Sequence, residues 1–572
     1  MAVVDVGRRG IPAGQPVLPT RATPAAFQGE LQPESATALR RRRVHRLQLA
    51  LRSPLRAVVR HPWLLTLALC LLVLGVGLRG SDAPAEEYRV WLFQTFGFVL
   101  WNDQWYAGHH LLGYSLLFPP LAGLFSAALV GIVSCVVTTA CMTHLVRRES
   151  GHRHDLALLW LAAAVVANLV VGRGPFALGL ACASVALLSV ATGRQGLAGA
   201  AAAGASMASP LAGLFLLLGG LAWARTRPVR TLLPLLAALA GLVASFLFPE
   251  GGHFPFPLIT LAGILLVAGI GLLVTPPEAA VVRAGLVIYA LVAVVLYLVP
   301  SPIGGNMARP ASLLAGPVAA IVLRYRRRVL ALVVVPLLVW EFAPITAAIG
   351  SSSDPSAAPA YYQGLLDFLG THPAPYGRVE IPFTRGHWEA RFVAPVAPLA
   401  RGWERQLDVR YNEVLYRPDL SSADYRAWLL SRGVRYVALP DVPLDGSAVR
   451  EAGLLRAGLP FLTPVFSDAH WRVWAVHGAP GLALGSAKLT RLDVDGFTLR
   501  FPAPGTSEVL VHYSPYWQVL SGSACVSPAA NGWTLVTSTA AGTVRVASRW
   551  SLTGMIGSAG SCVTGRDQAG TQ

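Results

Sequence analysis

"WNDQWYAGHHLLGYSLLFPP", residues 101 to 120, lies between two apolar runs. It holds what a plain membrane span avoids: aromatics (Trp101, Trp105, Tyr106, Tyr114), adjacent histidines (His109, His110) and a Pro pair (Pro119, Pro120). Trp and Tyr gather at membrane–water interfaces, and Pro suits the first turn of a helix. The stretch reads as a loop seated at an interface and bent into the next span.

The chain around it is apolar. Of 572 residues, 54% are hydrophobic and 13% charged, against about a quarter charged in an ordinary soluble domain. This points to a polytopic α-helical membrane protein. A formal net charge of +17 would suggest nucleic acid in a soluble chain. Here the Arg residues cluster at the ends of apolar runs, where they set topology, so no nucleic-acid partner is expected.

Residues 1–61 are rich in Pro, Ala and Arg, include Arg40 to Arg43, and lack apolar periodicity. They read as a disordered basic cytoplasmic tail. "WLLTLALCLLVLGVGL" then reads as an uncleaved first span. A spanning helix needs about 20 mostly apolar residues. Further runs lie at 119–145, 155–171, 175–192, 195–224, 231–248, 257–274, 282–299, 310–323 and 329–350. One crossing per run would leave the charges on the wrong sides. A break at Ser209-Pro210 turns 195–224 into two short helices and resolves this. The cytoplasmic loops then collect Arg147, Arg148, Arg153, Arg194, Arg225, Arg227, Arg230, Arg283, Arg324 and Arg326 to Arg328, while the other side keeps Arg79, Arg89, Arg173 and Arg309. The result is about eleven crossings within 62–350, a first extracytoplasmic loop at 80–118, and a tail outside the cytoplasm, all in the plasma membrane.

The tail has two compositions. In 351–480, "YYQGLLDFLG" has helical spacing and "YRAWLLSRGVRYVALPD" reads as helix, Gly stop and strand, an α/β region. In 481–572, "GFTLRF", "SEVLVHY", "WTLVTS" and "GTVRVAS" are short strands parted by turns, the pattern of a β-sandwich. Of six cysteines, only Cys525 and Cys562 lie in the tail, and a lone extracytoplasmic pair suggests a disulfide; two free thiols are the alternative. "GHWEAR" (386–391) and "GWERQLDVRYN" (402–412) place Trp388, Glu389, Trp403 and Glu404 as candidate glycan contacts, since Trp stacks and carboxylates accept hydroxyl hydrogen bonds. A structural turn around a packed Trp is the alternative.

The remaining polar residues fall in the outward loops: Asp82, Glu86, Glu87 and Arg89, then His109 and His110, Arg173 in "VGRGPF", Glu250 and His253 in "FPEGGHFPFP", and Asn306 and Arg309 in "PSPIGGNMARP". Glu341 lies inside the last apolar run, where an ionisable group is costly. Asp82 and Glu86 are four apart, hence on one helix face. A carboxylate can accept a proton from a hydroxyl, and Arg beside exposed backbone N–H groups can hold phosphate. No metal-ligand spacing is diagnostic. The competing expectation is an interfacial aromatic belt with acids that merely decorate the loop.

With Asp82 in the first loop and "GFVLWNDQWYAGHHLLGYSLLFPPLAGL" after it, the chain resembles the GT-C-type integral membrane glycosyltransferase superfamily. Its layout is similar to actinobacterial multi-span membrane proteins with an extracytoplasmic C-terminal domain; "SPIGGNMARP", "ARGWERQLD" and "GVRYVALPD" add to that likeness. The resemblance covers most of the chain in layout and the first loop in motif. It implies sugar transfer from a polyprenyl-phosphate donor to a cell-envelope glycan acceptor on the outer face. Asp82 would be catalytic, with Glu86 second. Arg89, His109, His110, Arg173, Glu250, His253, Asn306, Arg309 and Glu341 would face the lipid phosphate. The cofactor is unassigned, with a divalent cation, Mg or Mn, admitted. Many members carry an adjacent acid pair, whereas the adjacent pair here is Glu86-Glu87. Two other classes compete: a lipid or glycan transporter, which calls for mid-span charges and repeat symmetry, and a non-catalytic envelope assembly or glycan-binding protein.

Overall fold

The computed structural model describes residues 55–152, 154–248, 251–372, 377–551 and 554. Most of the expected disordered leader, together with Arg153, Glu250 and Cys562, lies outside the described residues. Residues 55 to 60, assigned to that leader, are helical. The described residues from Ala57 onward form one compact unit.

The first part of this unit is helical and the second is rich in strands. Among the described residues four helices are long and apolar enough to cross a membrane: Ala127–Ser150, Gly174–Thr192, Ala280–Leu298 and Arg327–Ser352. Five more apolar helices are shorter: Trp63–Val76, Asp155–Val170, Pro210–Ala224, Pro228–Gly241 and Leu258–Val274. At 1.5 Å per residue a 14-residue helix covers about 21 Å, short of a hydrocarbon core of about 30 Å. Helix length therefore does not carry the expected count of eleven.

The break at Ser209-Pro210 is present. Gln195–Ala208 and Pro210–Ala224 meet at an extended Ser209. The Ala-rich first half can be short because protein surrounds it. Ala202 and Ala205 pack with Ala186 and Ala238, and the Ser206 hydroxyl donates to the Ala238 carbonyl at 2.7 Å. Small residues let helices approach this closely. The turn touches the first loop, where the Leu116 N–H donates to Met207 O at 2.9 Å.

The tail holds the expected elements. Helix Ser422–Ser431, capped by Ser421 and Asp424, leads through Gly433 (φ 62°) into strand Val434–Pro440. That strand pairs in parallel with Arg378–Glu380 and antiparallel with Trp471–Val476, which pairs with Leu462–Ser467. Two four-stranded antiparallel sheets follow, their central strands Gly505–His512 with Trp533–Ser538 and Gly496–Phe501 with Gly542–Ser548. Phe497, Leu499, Val509, Val511, Val536 and Val546 fill one shared core between them, making a sandwich. Cys525 is disulfide-bonded.

The opening stretch has a different place from the one its composition suggests. Helix Ala83–Phe96 is followed by a hairpin pairing Trp101–Asn102 with His109–His110. Trp105 and Tyr106 are buried in the core of the α/β region, and Trp101 and Ala107 in the core of the sandwich. Three backbone hydrogen bonds and one from a side chain join hairpin and tail: Asp103 N–H to Val494 O (2.7 Å), Leu399 N–H to Gln104 O (2.8 Å), His512 N–H to Ala107 O (2.8 Å) and Trp105 Nε1–H to Ala390 O (3.2 Å). These aromatics are thus no interfacial belt. Each would lose burial in the tail if it faced lipid headgroups, and Tyr106 and Ala107 hold positive φ (59° and 62°) to keep the turn inserted. Nor do 351–480 and 481–572 stand apart from the first loop.

Candidate functional site

The head of the first loop is positioned by close backbone approach. The Asp82 N–H donates to Val171 O at 3.1 Å. Gly172 has φ 96°, and a Cβ there would lie 2.4 Å from the Ala83 nitrogen, so only glycine allows this contact. The next residue is Arg173. Its Nε lies 3.3 Å from Asp82 Oδ2, and Arg309 approaches the same oxygen at 3.8 Å. Arg309 comes from the short turn Gly304–Ala308 and opens helix Arg309–Val322, its guanidinium also resting 5.2 Å from the Phe176 ring. One carboxylate is therefore bracketed by two arginines from two other elements.

Glu86, in the first turn of the loop helix, lies beside them. Its Oε1 is 3.7 Å from Arg89, and Arg89 is ion-paired with Glu404 of the tail. The Arg89 guanidinium also lies 4.4 Å from the Tyr114 ring. Glu86 is 6% exposed and its Oε2 has no hydrogen-bond partner. Burial pushes its carboxyl up to about 8, against the opposing pull of Arg89. Burial likewise raises Tyr114, with Glu86 adding to it. At neutral pH, three guanidinium groups then face two carboxylates, Asp82 and Glu404, and one protonated carboxyl. The group has spare positive charge and two buried atoms without partners, Glu86 Oε2 and Arg309 Nε.

The tail closes this site through "ARGWERQLD". Arg401 grips Asp408 (2.6 Å) and Glu451 (3.2 Å). Gly402 fits against Trp105, where a Cβ would come within 2.5 Å of the indole. Trp403 donates its indole N–H to the Ser81 carbonyl at 2.5 Å and stacks on His387 at 3.4 Å. Tyr106 receives the Glu404 N–H at 2.7 Å. From Arg89, a shallow apolar groove open to solvent runs between Leu92 and Phe93 of the loop helix and Leu111, Leu116 and Pro119. Arg89 is the one charged residue among those lining it.

The structure thus brings Asp82, Glu86, Arg89, Arg173 and Arg309 together, and leaves other expected residues elsewhere. His109 is buried, stacked on Trp105 and hydrogen-bonded to Asn102 at 3.1 Å, and burial lowers its imidazole to about 4. His110 bonds Ser514 at 3.2 Å amid Trp101 and Tyr516. His109 lies within electrostatic reach of Arg89 and Glu404, whereas the hairpin turns His110 toward Ser514 of the tail. His253 is exposed, and Asn306 sits on the turn before Arg309. Glu341 accepts hydrogen bonds from Gly316 N (2.7 Å) and Trp160 Nε1. It ties three helices near Pro317, which interrupts one of them. Trp388 is 1% exposed and Glu389 accepts from Thr384 at 2.6 Å, so both are packing residues and offer no glycan platform. Tyr114 and the Arg89–Glu404 pair were not singled out together by sequence, and a partner 315 residues away leaves no local signal.

A divalent cation does not fit these donors. The Asp82 carboxylate is taken by two arginines, and no group of three His, Cys, Asp or Glu side chains with metal-binding geometry occurs among the described residues. The cluster can hold an anion and accept a proton at Asp82. No protein-family model matches the chain, and no curated protein matches it.

Proposed function

We propose that this chain is a GT-C-like membrane glycosyltransferase that moves a sugar from a polyprenyl-phosphate carrier to a cell-envelope glycan acceptor. The observation that carries this reading is Asp82 held between Arg173 and Arg309, next to an apolar groove lined by Arg89. A lipid phosphate needs an apolar path for its chain and positive charge for its head. An acceptor hydroxyl needs a base. Asp82 and its two arginines stand at the N-terminal end of the loop helix, and the groove follows the same helix from Arg89 to Phe93. In this reading the chain crosses the plasma membrane about eleven times and places the tail outside the cytoplasm. Asp82 takes the acceptor proton, and Arg173 and Arg309 hold the charge that develops on the departing phosphate. Trp403 fixes the Asp82 backbone through Ser81.

The test is transfer by the full-length chain in lipid vesicles, with radiolabelled polyprenyl-phosphate sugars and envelope glycan as acceptor. Asp82→Asn should lower transfer by about 10²–10⁴-fold while the fold is kept. Equal rates in Asp82→Asn and the unmutated chain would remove the first loop as the active site. A non-catalytic assembly role would then lead.

A further inference from the structure

Glu86 is the residue that an anion site least requires. A carboxylate facing phosphate would repel it. Yet Glu86 sits inside the cluster, in the first turn of the loop helix, with one oxygen toward Arg89 and the other buried and without a partner. Arg309 Nε is buried and unpartnered in the same cluster. A buried polar atom left without a hydrogen bond costs about 1–3 kcal/mol, and two in one place indicate a missing ligand that supplies an acceptor to one and satisfies the other.

We propose that Glu86 is a hydrogen-bond donor to the lipid phosphate: its protonated carboxyl and Arg309 Nε–H together grip the phosphate oxygens. This rests on the lipid-phosphate reading of the same site and deepens it by assigning the acid an opposite role from Asp82. Two carboxyl groups one helical turn apart are made different by their surroundings. Asp82 is partly exposed and bracketed by Arg173 and Arg309. Glu86 is enclosed, and Arg89, the cation nearest to it, is engaged by Glu404. The charged and titratable groups facing Glu86 are Arg89 and Asp82 from its own helix, Arg309 from the helix that starts beside it, Glu404 from the tail, and Tyr114. The carboxyl is pushed up to about 8 by burial, so it carries its proton at neutral pH. Above that value it becomes a carboxylate and opposes the phosphate.

The probe is farnesyl phosphate, whose phosphate is fully ionised above about pH 7, titrated onto the purified full-length chain in nanodiscs from pH 7 to 9.5. Affinity should hold to about pH 8 and then fall by about tenfold per pH unit, one proton being linked to binding. Glu86→Gln keeps an N–H donor of the same shape and cannot titrate, so its binding should stay flat across the range. Infrared spectra at pH 7 should show the C=O stretch of a protonated carboxylic acid that is lost in Glu86→Gln. An unmutated chain that binds with no slope, or Glu86→Gln that retains the slope, overturns the proposal and leaves the lipid-phosphate reading intact. Failure of the unmutated chain and of Glu86→Gln to bind at every pH, with folding intact, overturns both.

Discussion

The first loop and the last helix of the bundle invert the usual relation between polarity and burial. Residues 101–110 are rich in polar and aromatic groups, and Trp105, Tyr106, Asn102 and Asp103 are all at most 1% exposed. Helix Arg327–Ser352 is among the most apolar segments, and only 6% of its most apolar window is buried by protein. Where the solvent is lipid, an apolar side chain gains little by leaving it, whereas polar backbone must find partners within the protein. In this chain the polar loop is therefore the buried element, and the apolar helix the exposed one.

The largest effect should come from the hairpin. Replacing residues 101–110 with a short Gly-Ser linker removes Trp101, Trp105 and Tyr106 from two cores, so the tail should become protease-sensitive. Trp105→Ala alone should cost about 3–5 kcal/mol, read as a fall in melting temperature. A tail that stays resistant without the hairpin would mean that the two regions fold separately.

Next is the tie between loop and tail. Glu404→Ala leaves Arg89 buried without its main counter-charge, and breaking a buried pair in this way costs about 3–5 kcal/mol. Glu404→Gln should recover part of the loss. Equal stability in all three proteins would show that Arg89 is held by other contacts.

The pH dependence is subtler. Burial raises both Glu86 and Glu389 to about 8, above the ordinary 4.5. The folded chain thus keeps protons that the unfolded chain releases, and stability falls as pH rises from about 4.5 to 8. Glu86→Gln and Glu389→Gln together should flatten that decline in melting temperature. An unchanged slope in the double variant would mean that other groups set it.

The smallest effect is expected on helix Arg327–Ser352, whose apolar face is exposed. Leu332 is 77% exposed, so Leu332→Ala should shift stability by no more than about 0.5 kcal/mol. A loss of several kcal/mol would reveal a partner covering that helix.

Much of this was readable from residue order. The tail strands followed from turn residues between β-rich runs, and the broken helix from Ser209-Pro210. Arg173 and Arg309 stood out because they oppose the positive-inside trend, and Asp82 because it follows the first apolar run so closely. Long-range insertion was not readable. Nothing near Trp105 announces that its partners are Ala390 and Gly402, and an interfacial aromatic has the same local signature as one packed in a distant core. The packing of His110 against Ser514 of the tail was hidden for the same reason. The short helices were not legible either, because Ala-rich faces such as 198–205 are covered by neighbouring helices.

The account stands or falls on what Asp82, Arg173 and Arg309 hold. A cryo-electron microscopy map of the full chain with a non-hydrolysable polyprenyl-phosphate sugar analogue tests this directly. The account predicts phosphate density within hydrogen-bond reach of Arg309 and Glu86, with the lipid chain in the groove beside Leu92 and Pro119. Density for the analogue at any other site, with this cluster unchanged and empty, would contradict it.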